Sequence, residues 1–449
     1  MTSVLITNTH VVSLDPDIGT IPSADVLVVD GRIAAIAPDL GAAVGDAERI
    51  DGTGTIAIPG FVDTHRHTFQ NLIRGDLASA TMGDYFGQVL LGLAPAFGAD
   101  DVYAGTLIGA YEALNSGVTT IVDWANVMNT PDHADASISA LGESGIRAMF
   151  GYGPPSLFEY YVQSTVTHPE DARRVAEKYF SSTDQLLTYA LALRGPQGLA
   201  PELNTYDFAF ARELGARITV HAGVRLPGMP FGDVRMLHDT GVLGPDVTVV
   251  HGNESDDEEL DQLAAAGATV SVAPYVEMVM GHGNPPTNRL LAHGLAPSLS
   301  MDVACAVPGD MFTQMRTALA QSRNAQLSPV REDFFAPDRT PEEVLRFATV
   351  NGAVACGLDA TIGTLTVGKD ADIVLIRSDA INTIPGDDPF FTVVTAADTS
   401  NVDTVLVRGS VVKRHGRLVG VDMARLRTLG SEGRQRVHAT AAAAQAARG

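Results

Sequence analysis

The chain has 449 residues, 45% hydrophobic and 18% charged, with 30 Lys and Arg against 53 Asp and Glu and a formal net charge of −23. That length allows one large domain plus a smaller one, and so acidic a surface repels phosphate backbones, which argues against nucleic-acid binding. Two cysteines, Cys305 and Cys356, make no disulfide framework and suit a reducing cytoplasm, and neither an 18-residue apolar run nor a basic-then-apolar leader is present, so no membrane span and no signal peptide are expected.

Residues 1–58 read as short strands and turns, the first part of a small β-sandwich. Runs 3–6, 24–29 and 32–37 are apolar and β-rich, and Asp30-Gly31 marks a two-residue hairpin between the last two. From Ile56 the rhythm changes. Strand-like runs at 56–64, 119–123, 147–152, 186–193, 217–221, 247–251, 269–274 and 296–302 alternate with helical patterns such as 101–115, 202–214 and 256–266. Eight strands alternating with helices predict an α/β fold, a parallel (β/α)8 barrel over residues 59–357. Helical stretches 309–326 and 340–356 follow. Strand-like runs return at 364–365, 373–376, 402–407 and 410–413, so residues 358–420 are expected to complete the sandwich begun by the N-terminus. The Arg/Ala-rich segment 421–449 reads as a helical tail, frayed or packed.

Barrel enzymes carry their chemistry at the carboxyl ends of the strands. The first run ends in His65-Arg66-His67, and residues i and i+2 of a strand share one face, so two imidazoles aim at one point. Alone, His-x-His is better explained as two ordinary histidines in a surface loop. The fifth run, however, ends in His221, the sixth in His251 and the eighth in Asp302. Five such residues on one rim are hard to explain by packing, because unpaired polar groups are costly there. They predict a metal site, and imidazole suits zinc or iron.

Three stretches carry a family resemblance: Pro59-Gly60-Phe61-Val62-Asp63-Thr64-His65-Arg66-His67, Ser116-Gly117-Val118-Thr119-Thr120-Ile121-Val122-Asp123 and Gly363-Thr364-Leu365-Thr366-Val367-Gly368-Lys369-Asp370-Ala371-Asp372-Ile373-Val374. With these the chain resembles the amidohydrolase superfamily, in its branch of triazine hydrolases, cytosine- and guanine-type deaminases and adenosylhomocysteine deaminases. The resemblance implies the barrel with a composite sandwich, and one divalent metal, Zn²⁺ or Fe²⁺, held by His65, His67, His221 and Asp302. A binuclear site in this superfamily usually has a carboxylated lysine late in the fourth strand. Here the only lysines are Lys178, Lys369 and Lys413, all outside that strand, which supports a single ion. The implied chemistry is attack of a metal-activated water on an electron-poor carbon. Asp302 would take the water's proton, and His251 would orient the nucleophile or stabilise the oxyanion.

The sequence departs from the family at one place. The resembling deaminases read His-x-x-Glu after the fifth strand, where this chain has His221-Ala222-Gly223-Val224. Valine transfers no proton. Glu277, just past the seventh strand, is a candidate replacement if burial raises its pKa; the alternative is a rim glutamate paired with an arginine or capping a loop. Gln70 lies where guanine-deaminase-like relatives contact the base, and its amide offers a donor and an acceptor. Arg74, Trp124, Tyr152, Arg194 and His282 are further candidates for contact with substrate, although core packing is the commoner explanation of a Trp124 or a Tyr152 in such a place. Residues 70–97 are long for a βα loop and could cover the site as a lid, as could residues 227–231.

The expected function is hydrolytic removal of an amino group from a purine, pyrimidine or triazine. Alternatives are hydrolysis of another C–N or a C–Cl bond, since halide leaves without a proton, and a metal-retaining binding protein without catalysis. The expected partners are a small heterocyclic substrate and a second copy of the chain, a dimer being favoured.

Overall fold

The computed structural model describes residues 3–42, 45–79, 81–161, 164–197, 199–224, 232–326 and 339–447. In chain order, β1 (Ser3–Val12), β2 (Thr20–Val29), β3 (Arg32–Ala37), β4 (Glu48–Asp51) and β5 (Thr55–Pro59) come first. Then β6 (Phe61–Arg66), β7 (Val118–Ala125), β8 (Arg147–Tyr152), β9 (Leu187–Leu193), β10 (Arg217–Ala222), β11 (Val247–His251), β12 (Thr269–Val272) and β13 (Pro297–Leu299) alternate with helices. Finally β14 (Ile373–Arg377), β15 (Val402–Val407), β16 (Ser410–Arg414) and β17 (Arg417–Leu418) precede the helix Met423–Ala446.

By contact density the chain forms two compact units: Met1–Asp63 with Glu112–Thr120 and Asp310–Val421, and Thr64–Tyr111 with Ile121–Gly309 and Asp422–Gly449. In the first, both chain ends build one nine-stranded mixed sheet ordered β17-β16-β15-β14-β5-β1-β2-β3, with β4 beside β1. β5 is the joint, parallel to β1 and antiparallel to β14. Alternating apolar residues of both ends, among them Ile6, Val26, Val28, Ile373, Leu375 and Leu406, share one core. The sequence missed β4, and residues 364–365, expected as a strand, pair with none. The stretch 340–356 is two helices, Pro341–Phe347 and Val350–Ala355, because the carbonyl of Ala348 accepts from the Val62 N–H at 2.8 Å and leaves the helical ladder.

Residues 56–64, read as one strand, are parts of two. The break falls at Gly60, whose N–H donates to the Asp372 carbonyl at 2.9 Å. A Cβ there would lie 2.0 Å from Thr119 Oγ1, so only glycine lets the chain leave one sheet and enter the next.

The second sheet runs β6 through β13 in chain order, with parallel pairing from β8 to β13. It closes beyond the last strand. Arg66 bridges Asp302 in parallel, the Asp302 N–H donates to the His65 carbonyl at 3.0 Å, and the His67 N–H donates to the Asp302 carbonyl at 2.9 Å. The expected (β/α)8 barrel is therefore present. Helix Met423–Ala446 packs onto its own unit: Val437 is buried, and Arg436 and His438 pair with Asp101 and Asp76 at 2.8 and 3.0 Å. No helix among the described residues is long and apolar enough to cross a membrane.

Gly60→Ala is expected to lower the unfolding free energy by about 1–3 kcal/mol, the scale of an overpacked core site. Denaturant titration at constant m-value checks this, and an unchanged midpoint would contradict the close approach.

Candidate metal centre and cavity

Parallel β-strands deliver the site residues to one end of the barrel. β6 carries His65 and is followed by His67; β10 carries His221, β11 ends in His251, and Asp302 follows β13. Their polar atoms converge. His65 Nε2 lies 3.0 Å from Asp302 Oδ1 and 3.2 Å from His221 Nε2, and His67 Nε2 lies 3.4 Å from the same Asp302 oxygen. One ligand atom from each of His65, His221, His251 and Asp302 falls within 4.8 Å of the others. All these side chains except the partly exposed His221 are buried. His251 (φ +82°) and Asp302 (φ +67°) hold left-handed backbone, a conformation costing about 1–3 kcal/mol each that persists where the surroundings impose it.

The protonation states favour metal binding. Burial lowers the pKa of His67 to about 3, helped by His65, and burial first, then the neighbouring histidines, hold His221 well below its usual value. Neutral imidazoles with facing lone pairs are what a divalent cation requires. Burial opposes ionisation of Asp302, but its hydrogen bond with His65, first among the contributions of the surrounding histidines, outweighs it and holds the carboxyl well below the usual range. This nitrogen–oxygen donor set fits zinc or iron. The far ring atoms are fixed as well: His67 Nδ1 meets Asn126 Oδ1 at 2.8 Å and the Trp124 carbonyl at 3.0 Å. Such outer partners set the tautomer and aim of a ligating histidine.

Glu277 occupies a different place from the one its sequence position suggested. It is fully buried in the short helix Pro274–Val279 and does not line the cavity. Oε1 lies 3.1 Å from His251 Nδ1 and accepts from the Ala273 N–H at 2.8 Å, while Oε2 accepts from Asn253 Nδ2 at 3.1 Å. With both oxygens engaged, Glu277 positions His251 rather than meeting a substrate. Although burial lowers the pKa of His251, Glu277 and Asp302 raise it beyond its usual value.

An apolar cavity opens over the centre. Met82, Tyr85, Phe86 and Leu90 supply one wall, so part of the 70–97 segment covers the site; residues 227–231 lie outside the described residues. Trp124 also lines it, its ring centroid 4.4 Å from that of His221, and its indole N–H has no hydrogen-bond partner among the described residues. His282 lines it too, edge-on to His251 at 4.9 Å between centroids, with both ring nitrogens unpartnered among the described residues. Burial, then His251, pushes its pKa to about 3.

The other expected contacts are corrected. Gln70 is fully buried behind the wall, its amide donating to Tyr85 Oη at 2.8 Å and accepting from Cys305 Sγ at 3.1 Å. Arg74 is exposed, outside the cavity lining. Tyr152 is core, its hydroxyl donating to Asp171 at 3.2 Å. Arg194 borders the cavity, but its guanidinium is bound to Asp207 at 3.0 Å, Ser164 Oγ at 2.6 Å and the Val166 carbonyl at 2.6 Å. Sequence reasoning missed Asn126, Asn253, Gln197 and Asp233. Asn126 lies two residues beyond Trp124, a spacing that could have flagged it. Asn253 likewise lies two residues beyond His251, at the end of β11, whereas Gln197 and Asp233 sit farther from their strands.

Comparison with known proteins agrees with this geometry. The model of the Amidohydrolase family matches residues 56–412. The 5'-deoxyadenosine deaminase of Methanothermobacter thermautotrophicus is 32% identical over 429 residues, 93% of this chain and 94% of that protein. The 5-methylthioadenosine/S-adenosylhomocysteine deaminase of Symbiobacterium thermophilum is 27% identical over 86% of this chain and 88% of its own. Among solved structures, a zinc-bound adenosine deaminase from Xanthomonas campestris superposes with a TM-score of 0.83 at 21% identity, covering 98% of this chain and 99% of that one. A variant of atrazine chlorohydrolase from Arthrobacter aurescens, complexed with zinc and atraton, gives 0.83 at 23% identity, covering 96% and 100%. The family match and the two deaminase relatives place the chain in the class of hydrolases acting on carbon–nitrogen bonds. Within that class, the chain belongs to the amidohydrolase family.

Arg194→Met is expected to cost about 3–5 kcal/mol of stability, because Asp207 would stay buried without its counter-charge. Chemical denaturation measures this, and a loss under 1 kcal/mol would mean the guanidinium is free to serve the cavity.

Proposed function

We propose that this protein is a hydrolytic deaminase of an amino-substituted nitrogen heterocycle, of the purine-nucleoside kind on which its named relatives act. The observation that carries the reading is the convergence of His65, His67, His221 and Asp302 on one buried point beneath an aromatic-walled cavity. These four are the proposed ligands of a single ion, with zinc the expected metal and Fe²⁺ the alternative. His251 is left out because its Nε2 is 3.9 Å from Asp302 Oδ2, farther than His65 or His67 from that carboxylate, and because Glu277 aims it toward a reactant.

A divalent ion, when bound, lowers the pKa of a water molecule and polarises it for attack. The protein's residues do the rest. Asp302, held ionised, accepts the water's proton. His251, steadied by Glu277, hydrogen-bonds the oxygen that adds to the ring carbon. Among the described residues, Trp124 Nε1 and the His282 nitrogens are polar groups of the wall without a partner, suited to a heterocycle's edge. Water exclusion by Tyr85, Phe86 and Leu90 strengthens each of these interactions. One feature favours a second reading, a chlorohydrolase: Val224 stands where the resembling deaminases carry their proton-shuttling glutamate.

Ammonia release from 5'-deoxyadenosine, adenosine and aminotriazines, with chelated protein as control, tests the reading. Metal-dependent ammonia is expected, whereas chloride release alone would select the second. His221→Ala is expected to lose its metal by elemental analysis, and full retention would sink the ligand set. Glu277→Gln should keep the metal and lower turnover about 10- to 100-fold, the scale of a positioning partner; unchanged turnover would leave Glu277 structural.

A further inference from the structure

We propose that Asp233 is the proton-carrying acid of this site, standing in for the glutamate absent at position 224, with Gln197 as its positioning residue. The inference rests on the deaminase reading. Val224 presents an apolar side chain to the cavity, and the backbone around it is held by Asp233. The Gly223 N–H donates to Asp233 Oδ2 at 2.7 Å. Gln197 Nε2 bridges the same oxygen at 3.0 Å and the Val224 carbonyl at 3.2 Å. Gly223 permits this close packing, with φ +71° and a missing Cβ that would fall 2.5 Å from Gly252 Cα. Asp233 and Asp302 are the only carboxyl residues lining the cavity among the described residues. Asp302 belongs to the metal centre and Glu277 is shut behind His251, which leaves Asp233 as the acid available to a bound ring. Among the described residues its Oδ1 meets backbone N–H groups and no side chain, that of Val234 at 3.1 Å, and keeps capacity for a proton.

Its surroundings favour that proton. Burial pushes the Asp233 carboxyl up to about 6; the Gly223 N–H opposes this and the charge of Glu259 adds to it. Glu259, on the helix Asp257–Ala266, accepts from the Arg235 and Asp256 N–H groups, so it stays beside Asp233 as a like charge. Arg235, on Asp233's own helix, is turned to Asp256 and Glu258. Across the cavity stand His221, His251, His282 and Asp302, and His67 and Arg194 also border it.

The step balances without an outside reagent. Water adds to the carbon bearing the amino group, forming C–O and giving one proton to Asp302. The ring nitrogen receives the displaced electron pair and takes the Asp233 proton. The C–N bond to the amino group then breaks, the amine leaving as ammonia with the proton from Asp302. The new hydroxyl becomes a carbonyl and returns its proton to Asp233.

Asp233→Asn and the double variant Val224→Glu/Asp233→Asn test the proposal, with 5'-deoxyadenosine as substrate. Elemental analysis monitors the metal centre, and carbon-13 NMR of labelled aspartates follows the carboxyl itself. Asp233→Asn should keep its metal and lose about 10²-fold in kcat. The double variant should recover at least about tenfold of that, a rescue that no merely structural role predicts. In the unmodified protein, kcat should fall as pH rises through the neutral range, and a carboxyl resonance absent from Asp233→Asn should titrate near 6. Near-normal kcat in Asp233→Asn, no rescue with metal retained, or an Asp233 carboxyl titrating in the ordinary range would each overturn the proposal. If Asp233→Asn does not fold, Asp233→Glu, which keeps an acid, should remain active with an altered pH profile; an unaltered profile would overturn the proposal equally. An unmodified protein that deaminates none of the substrates would instead refute the deaminase reading, a failure distinct from these.

Discussion

The seam between the first and last barrel strands is the constraint on which the site depends. Two backbone hydrogen bonds close it, from Asp302 N–H to the His65 carbonyl and from His67 N–H to the Asp302 carbonyl. The residues that close the barrel, His65, His67 and Asp302, are thus three of the four whose side chains converge on the proposed metal point. Asp302 takes left-handed backbone to serve both purposes. A frame bonded this way holds its side chains to a fraction of an ångström, which chemistry at a single point requires. Loss of the seam would scatter the ligands, and loss of the ligands would leave buried polar atoms at the seam.

Around that point, polarity is arranged in shells. Asn126 and the Trp124 carbonyl fix His67; Glu277 fixes His251 and is itself fixed by Asn253 and the Ala273 N–H. Each contact satisfies a buried group that would otherwise be costly. The cavity wall is treated differently. Trp124 Nε1 and the His282 ring nitrogens have no partner among the described residues, so the wall keeps polar capacity that the shells around His67 and His251 have spent. The burial that lowers the pKa values of His67 and His221 also raises that of Asp233, so one dry environment favours the neutral form of both kinds of group.

Much of the fold was legible because its periodicities are local. Strand 247–251 and strand 402–407 were read to the residue, since an apolar β-rich run bounded by turns is a nearest-neighbour property. The errors arose where distant residues decide. The run 56–64 divides at Gly60 because Thr119 and Asp372 approach it, and the stretch 340–356 breaks because Val62 claims a carbonyl from it. For the site, His65, His67, His221, His251 and Asp302 were readable because parallel strands send their carboxyl ends to one rim. Gln70, Arg74 and Tyr152 were misplaced because closeness in sequence to a strand end does not say which way a side chain turns.

The sequence by itself determined the architecture, the histidines and aspartate at the strand ends and the valine at position 224, because each is written in strand rhythm or in motif positions. Only the tertiary structure decided what surrounds that centre. It placed Glu277 behind His251 instead of before a substrate, tied Arg194 to Asp207, and brought Asp233 against Gly223 from ten residues away. The reason is physical: strand rhythm reports which residues are buried, whereas hydrogen-bond partners and pKa values depend on neighbours that only folding brings together.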